Sequence, residues 1–587
     1  MSAPVLSTTR WHAAPEPNAE TLAAIHAQYN LHPAIARIAA RRIASIDDIT
    51  DWFSPLVAPF CDPMQFTGMQ ETVTTLHRAL TERRHIVIFG DYDTDGITAT
   101  TLLSQALKQC DAQVNAFIPD RETEGYGLTT AAINRCLTEY PKTELLITVD
   151  CGISCVDEVE DLQQRGIEVI ITDHHLPPET LPRTQAILNP RLGAPKGAEM
   201  ICGCATAYVL VRALYDRLAQ TTGKTYNHKH YLDLVAVATI ADVMPLTGEN
   251  RSLVTKGLYI LGASQHGNLG LHALAESQSL KFETLTAEQI AFKLVPCINA
   301  ASRIGECNCA RDLLAFSSPA KWNILPDTMK QTCQVAALQL KAKNQERREI
   351  ENYLRDVIEM KDVRPCGNLV LAAGTPDEGF HPGVLGIVAA RLSEQFKLPA
   401  VVCSIKPDGS GSGSVRARGR WNAVQALDTV RDLLAHYGGH TAAAGFSLIP
   451  GTFEAFKTRF PKAFEGTQAE PETLYYDESL HCIIDSDLLA SLDRLEPFGN
   501  DNPKPIFAKT FILNTYRTIG ADKSHLDLTL RDPAQPDTFT RAVWFGAAER
   551  SKTWLPGTRF RFFFTVSRDN FHPNRPSLQL LDAIPCD

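Results

Sequence analysis

Five strand-length apolar runs, at 86–89, 114–118, 145–149, 169–171 and 186–188, constrain the fold more than any other feature of this chain. The first, Ile86 to Phe89, lacks the in-out alternation of a half-exposed sheet, and segments with helical spacing separate the first four. That pattern predicts βαβ units, and so a parallel, doubly wound α/β sheet with helices on both faces. Ligands of such sheets bind beyond the carboxyl ends of the strands. The residues directly after each run therefore carry the functional reading.

The first run empties into GDYDTDG, where Gly90 and Gly96 bracket Asp91, Asp93 and Asp95. In an extended segment, side chains two apart share a face, so the three carboxylates are expected to point into one site. Held that close they repel unless cations neutralise them, and hard divalent ions are the natural partners. A solvated acidic turn is the alternative. Asp150 follows ELLITV, Asp173-His174-His175 follows VIIT, and Asp242 lies just past the apolar helix YLDLVAVATIA. Each has a simpler reading: Asp150 as a helix N-cap, the histidine pair as structural, Asp242 as a helix terminator. Together they place five or six acidic and imidazole groups at the ends of one sheet. That donor set suits manganese or magnesium, with manganese better matched to histidine.

Between the first two acidic loops, IPDRETEGYG offers Arg121 as a phosphate clamp and Tyr126 as a base-stacking platform. Residues 328–362 contain no Gly or Pro and predict a connector helix roughly 50 Å long. Residues 368–465 read as a second α/β unit. Its Gly-rich stretches, 411–420 and 437–446, would let Ser414, Arg416, Arg418 and His440 close around a phosphate, or else form two tight turns. Several short strands in 473–587 predict a small OB-like β-barrel, in which Arg517, Arg541, Arg561 and Arg568 are candidates for binding single-stranded nucleic acid. The expected organisation is an N-terminal cap (1–75), a catalytic domain (76–327), the connector (328–362), a substrate-binding domain (363–466) and the barrel (467–587).

The chain carries 57 basic and 67 acidic residues, a net charge of −10, which argues against coating nucleic acid through bulk charge. No apolar run reaches the ~18 residues of a membrane span. The first residues lack a basic start and apolar stretch, so a cytoplasmic protein with its fifteen cysteines reduced is expected. Cys202/Cys204 and Cys307/Cys309 are C-x-C pairs, unlike the wider spacing of structural zinc sites. No Walker A or G-x-G-x-x-G fingerprint follows a strand.

The motifs GDYDTDG, VDCG, TDHH and IADVMP resemble the four motifs of the DHH phosphoesterase superfamily. NAASRIG (299–305), GSGSVR, YGGHTAAAG and EPFGNDNPKPIF (496–507) further resemble its RecJ family of bacterial single-strand-specific exonucleases. The resemblance covers nearly the whole chain. It implies a DHH catalytic sheet, a smaller DHH-associated domain and an OB-like barrel. It implies a two-ion phosphodiesterase in which Asp91, Asp93 and Asp150 hold one Mn2+ (or Mg2+). Asp95, Asp150, His174 and Asp242 would hold the other, and His175 would face the scissile phosphate. Arg121, Asn299, Arg303, Ser414, Arg416 and His440 match substrate-binding positions. The implied activity is 5′-to-3′ degradation of single-stranded DNA to mononucleotides in recombination and DNA repair, by a monomer working with a helicase and single-strand-binding protein. Ser302 stands where the family often has Gly, and Ala417 where it often has Ser. Two other readings are a phosphodiesterase for oligoribonucleotides or cyclic dinucleotides, and a catalytically dead DNA-binding scaffold. A dinucleotide needs neither the barrel nor the long helix, and a dead scaffold would have lost metal ligands that this chain keeps.

Overall fold

The computed structural model describes residues 10–262, 267–305, 307–316, 322–466, 473–569 and 575–586. Two compact units form: residues 1–59, 245–247 and 471–587 in one, and 60–244 with 248–470 in the other.

The first unit starts with β1 (Arg10–Ala13) and helices α1 (Ala19–Gln28), α2 (Pro33–Arg42) and α3 (Ile49–Phe53). The stretch expected to be one N-terminal cap divides: Phe66, Met69 and Val73 enter the core of the parallel-sheet unit, and the helices up to Phe53 join the C-terminal module. Ile25, Ile35, Ile38, Ile49, Trp52 and Phe53 share one buried cluster with Leu488, Phe511 and Phe562 of the C-terminal module.

The second unit holds the parallel sheet. Its strands are β2 (His85–Gly90), β3 (Gln113–Phe117), β4 (Leu145–Val149), β5 (Glu168–Thr172) and β6 (Ile187–Leu188), in spatial order β3-β2-β4-β5-β6. All pairings are parallel. Successive strand residues enter opposite layers, as strand geometry requires. Ile86, Ile88 and Ile147 pack with α4 (Thr94–Gln109) and the helix Gly203–Thr222. Val87, Phe89 and Leu146 pack on the other face with α5 (Thr130–Glu139) and α6 (Val156–Gln164). The strands β2, β4 and β5 are thus covered on both sides, which is why they read as nearly unbroken apolar runs, whereas the edge strand β3 alternates exposed and half-buried residues. The helices that follow it are α7 (Gly203–Thr222), α8 (Leu232–Ala241) and α9 (Val295–Arg303).

The connector is the 34-residue helix α10 (Asp327–Met360), about 51 Å long at 1.5 Å per residue. It is anchored at both ends: Cys333, Ala337 and Leu340 enter the core of the parallel sheet, whereas Leu354 and Ile358 enter the core of the next module. That module is a five-stranded sheet in the order β10-β11-β9-β8-β7. Its elements are β7 (Val370–Gly374), α11 (Leu385–Phe396), β8 (Ala400–Ile405), β9 (Gly411–Arg416), β10 (Leu434–Gly439) and β11 (Ala443–Leu448). The two Gly-rich stretches are mainly strands rather than turns. Ser414 pairs with Gly445 and Arg416 with Ala443 on adjacent antiparallel strands.

The C-terminal module of the first unit begins with β12 (Thr473–Tyr476), which pairs in parallel with β1, and β13 (Glu478–Ser479). A barrel then follows from β14 (Phe507–Ile519), β15 (His525–Asp532), β16 (Gln535–Trp544), β17 (Arg559–Arg568) and β18 (Pro576–Pro585). It closes through a β14–β17 pairing. Phe507, Phe511, Phe560, Phe562 and Phe564 fill its interior, so these aromatics are core. Among the described residues no helix is long and apolar enough to cross a membrane.

Candidate metal centre

The carboxyl ends of β2, β4 and β5 and the end of α8 deliver the acidic and imidazole groups to one place. Ligand atoms of Asp91, Asp93 and Asp150 lie within 4.8 Å of one another, as do those of Asp95, His174 and Asp242, and those of Asp150, His174 and His175. The three aspartates of GDYDTDG do not converge by alternating along a strand. Asp91 follows the strand end, Asp93 is the N-cap of α4, and Asp95 sits in the first turn of that helix. Asp93 Oδ1 accepts from the Asp95 and Gly96 amides, so it caps the helix while remaining in the cluster. Asp150 caps nothing; its backbone is left-handed (φ 62) and helix α6 starts only at Val156.

Asp95 is held from behind. Its two oxygens accept from the Gly203 and Cys204 amides at 2.7 and 2.8 Å, at the positive N-terminus of α7. Gly203 is needed for more than its amide: a Cβ there would lie 2.6 Å from both Cβ and Oδ1 of Asp150. Asn299 Oδ1 accepts from the amide and hydroxyl of Thr94 at 2.8 and 2.7 Å. It therefore fastens the acidic loop to α9.

Burial, together with the neighbouring carboxylates, holds Asp150 well above the usual carboxylate range, and does the same for Asp91 through Asp93. Asp242 is pushed up to about 8 by burial and by Asp95 and Asp93. His174 is pushed down to about 4, chiefly by burial, and is neutral. Its Nε2 lies 3.1 Å from Asp150 Oδ1 and 3.5 Å from Asp242 Oδ2. With a neutral imidazole these approaches are not ion pairs. Asp91 Oδ1, Asp150 Oδ1 and Asp242 Oδ2 are buried without a hydrogen-bond partner. Buried acceptors left facing each other are costly, and cations are what would satisfy them. The donors fit manganese or magnesium.

His175 differs from its neighbour. Against the cost of burial, a 2.7 Å bond between its Nδ1 and Asp173 Oδ1 and the charge on Asp173 raise it to about 9. The same pairing lowers Asp173 despite its burial. Asp173 also accepts from the backbone amides of Ile153, His174 and His175, which fixes its orientation. Asn189 Nδ2 donates to the carbonyl of His175. Asp173→Asn is expected to lower kcat roughly 10–100-fold, with little change in KM, by leaving His175 unoriented and easier to deprotonate. The alkaline limb of the pH–kcat profile should move to lower pH; an unchanged limb would break the assignment.

Beyond the carboxylates lies a cationic group. Burial and the nearby Arg121, Arg347 and Arg416 push Arg303 down to about 10. Arg121 stacks over the Tyr92 ring at 5.0 Å, and Arg416 Nη1 donates to Ser414 Oγ at 2.7 Å. Among the described residues none of Arg121, Arg303 and Arg416 is in an ion pair. Gly386, at the start of α11, leaves the room that Ser414 and Arg416 use; a Cβ there would lie 2.6 Å from the Arg416 guanidinium. His440 lies parallel to His175, with ring centroids 6.4 Å apart. Tyr126 is half exposed, and its hydroxyl is 3.3 Å from His175 Nε2.

The barrel arginines are answered by neighbours. Arg517 and Arg541 both bind Asp527, Arg568 binds Asp493, and Arg561 donates to Tyr476 and Ser479. Even so paired, the Arg517 side chain stays largely exposed, and those of Arg541 and Arg568 about two-fifths exposed. Sequence reasoning passed over Gly203 and Asn189. Gly203 sits between the two thiols of a C-x-C that was read only as a poor zinc site. Asn189 precedes a proline after β6, where a turn residue needs no other explanation.

A parallel sheet with an acidic and imidazole cluster beyond its strand ends, facing a second module rich in glycine and arginine, defines a DHH-type phosphoesterase. Family models agree: the DHH family N-terminal domain matches residues 85–239, the DHHA1 domain 367–466, and the RecJ OB domain 481–582. The chain is 31% identical to the single-stranded-DNA-specific exonuclease RecJ of Bacillus subtilis, over 98% of this chain and 71% of that protein. It is also 31% identical to RecJ of Haemophilus influenzae, over 94% and 95%. The crystal structure of Thermus thermophilus RecJ with Mn2+ superposes with a TM-score of 0.80 at 29% identity, covering 99% of this chain and 80% of that one. The Mg2+ complex gives 0.75 at 28% identity, over 99% and 79%. The chain belongs to the RecJ family.

Proposed function

We propose that this protein is a metal-dependent exonuclease specific for single-stranded DNA, acting in recombination and DNA repair. It removes mononucleotides from the 5′ end by hydrolysing phosphodiesters, with Mn2+ or Mg2+ as cofactor. The observation that carries the reading is the juxtaposition of two opposite charge clusters. Buried carboxylate oxygens without a hydrogen-bond partner lie beside arginines that make no ion pair among the described residues, and a phosphodiester bound with metal ions answers both.

Asp91, Asp93 and Asp150 would hold one ion, and Asp95, Asp150, His174 and Asp242 the other. When bound, such ions activate a water and stabilise the attacking and leaving oxygens of an in-line displacement. The remaining steps belong to side chains. Protonated His175, oriented by Asp173, binds a phosphate oxygen through Nε2. Arg121, Arg303, Arg416 and Ser414 grip the phosphate at the strand's end, and His440 closes the site opposite His175. Tyr126 offers its exposed ring to the terminal base. Asn299 acts one step back, by holding Thr94 and hence the acidic loop. A helicase and single-strand-binding protein as partners, a monomeric state and a cytoplasmic location complete the reading.

Digestion of a 5′-labelled single strand tests it. Labelled mononucleotide should appear before the full-length strand is much depleted, only with Mn2+ or Mg2+, and not from duplex. A ladder of labelled fragments shortening from the far end would overturn the polarity. Equal cutting of duplex would overturn the strand specificity.

A further inference from the structure

Glu351, on the connector helix, is 2% exposed and takes no part in the metal centre. Its Oε2 accepts from Arg347 Nη1 at 2.7 Å, and its Oε1 lies 2.5 Å from Arg391 Nε on α11. Arg347 Nη2 donates to Asn344 Oδ1 at 2.8 Å, and Asn344 Nδ2 donates to Cys297 Sγ at 3.5 Å on α9. A polar line thus crosses from α9 through buried groups on α10 to the half-exposed Arg391 on α11, its last link an ion pair rather than a hydrogen bond.

Both ends of the line carry parts of the reaction site. Helix α9 bears Asn299, which fastens the acidic loop, and Arg303. Helix α11 begins beside Ser414 and Arg416. The end of α9 also meets the turn that leads into α11: Arg303 Nη1 donates to the Gly383 carbonyl at 3.1 Å, and a Cβ on Gly383 would lie 2.0 Å from the Arg303 carbonyl oxygen. That contact fixes one point of the junction, and the apolar cluster of Leu354 and Ile358 on α10 with Leu385, Val388 and Leu392 on α11 holds α11 against the connector. Apolar packing is not directional, whereas charged side chains paired across the same face set its angle.

We propose that the line Cys297–Asn344–Arg347–Glu351–Arg391 is the ruler of this exonuclease. It holds α11 at a set distance from α9, and so decides how far from the gripped end the bond is cut. The proposal rests on the reading above, in which Arg303, Ser414 and Arg416 hold the strand's end. If the spacing between grip and metal centre relaxes, the next phosphodiester can reach the metal centre and dinucleotides appear among the products. These are positioning residues; none touches substrate.

Arg391→Ala in the full-length protein is the direct test, because the Arg391 side chain is 55% exposed and its loss leaves the Arg347–Glu351 pair intact. With Mn2+ and a 5′-phosphorylated single strand, KM should rise roughly tenfold, kcat should change little, and dinucleotides should reach roughly a tenth of the product. Arg391→Lys, which keeps the charge, should restore most of the mononucleotide pattern. Glu351→Gln should exceed Arg391→Ala if it folds. Unchanged KM and only mononucleotides from Arg391→Ala would overturn the ruler. Arg416→Ala separates the two ideas. If it alters KM while Arg391→Ala does not, only the ruler fails; if neither alters KM, the end-binding reading fails with it.

Discussion

Asp150→Asn should abolish cleavage, with kcat falling at least ~10³-fold, while raising the stability of the metal-free protein. Two physical facts make this the cleanest variant of the cluster. The Asp150 backbone is left-handed, a conformation Asn tolerates and Ala does not, so the substitution introduces no strain. The carboxyl is also held well above its usual range by burial and by four neighbouring aspartates. Its folded pKa exceeds its unfolded one, so without cations its ionisation costs stability at any pH above the unfolded value, and the cost grows until the folded value is passed. Asn removes that cost. The sign reverses once ions are added: cations at about a thousand times their Kd stabilise by about 4 kcal/mol, and the variant should lose much of that gain. Melting with EDTA and with Mn2+ reads both effects. Normal turnover would break the metal assignment, and a metal-free protein made less stable would break the account of repulsion.

Gly203→Ala should lower kcat roughly 10²-fold, the size of loss that follows a misplacement of about 1 Å at a reacting centre. Ordinary helix propensity predicts the opposite sign for folding, since Ala in a helix is worth about 1 kcal/mol over Gly. Here the added methyl meets the Asp150 carboxylate at 2.6 Å. Either Asp150 turns or the first turn of α7 retreats and releases Asp95. Steady-state kinetics beside a thermal melt distinguish this from general damage. The melting temperature should move by only about 5 °C, while Mn2+ affinity and kcat fall together. Full activity would mean that the α7 N-terminus is not part of the site.

What could be read in the sequence divides along physical lines. Apolar runs reveal the sheet because its inner strands β2, β4 and β5 are buried on both faces, and that burial is written in nearly every residue of the three. The clustered acids and imidazoles were legible because each sits at a strand or helix end, where the chain's own punctuation marks the spot. The shape of GDYDTDG was not, since convergence comes from a strand-to-helix turn that places Asp95 on α4 rather than in an extended segment. Gly203 was hidden because its function is the absence of a side chain next to a residue 53 positions away. Glu351 looked like any charged position on a long helix until Arg391 was seen across from it. The pairing of the barrel arginines was hidden too, because partners such as Asp527 and Asp493 are not revealed by periodicity.

Residues 10–13 lie against 473–476 in the structure, and the three helices after them bury their apolar faces on a module made at the other end of the chain. Synthesis therefore produces a segment whose hydrophobic partners emerge more than 400 residues later. During that interval Ile35, Ile38, Trp52 and Phe53 have no native surface to cover them, and exposed apolar segments of this kind are what chaperones retain. The ribosome's schedule thus sets a waiting time that the parallel sheet, complete within a local stretch of sequence, does not share.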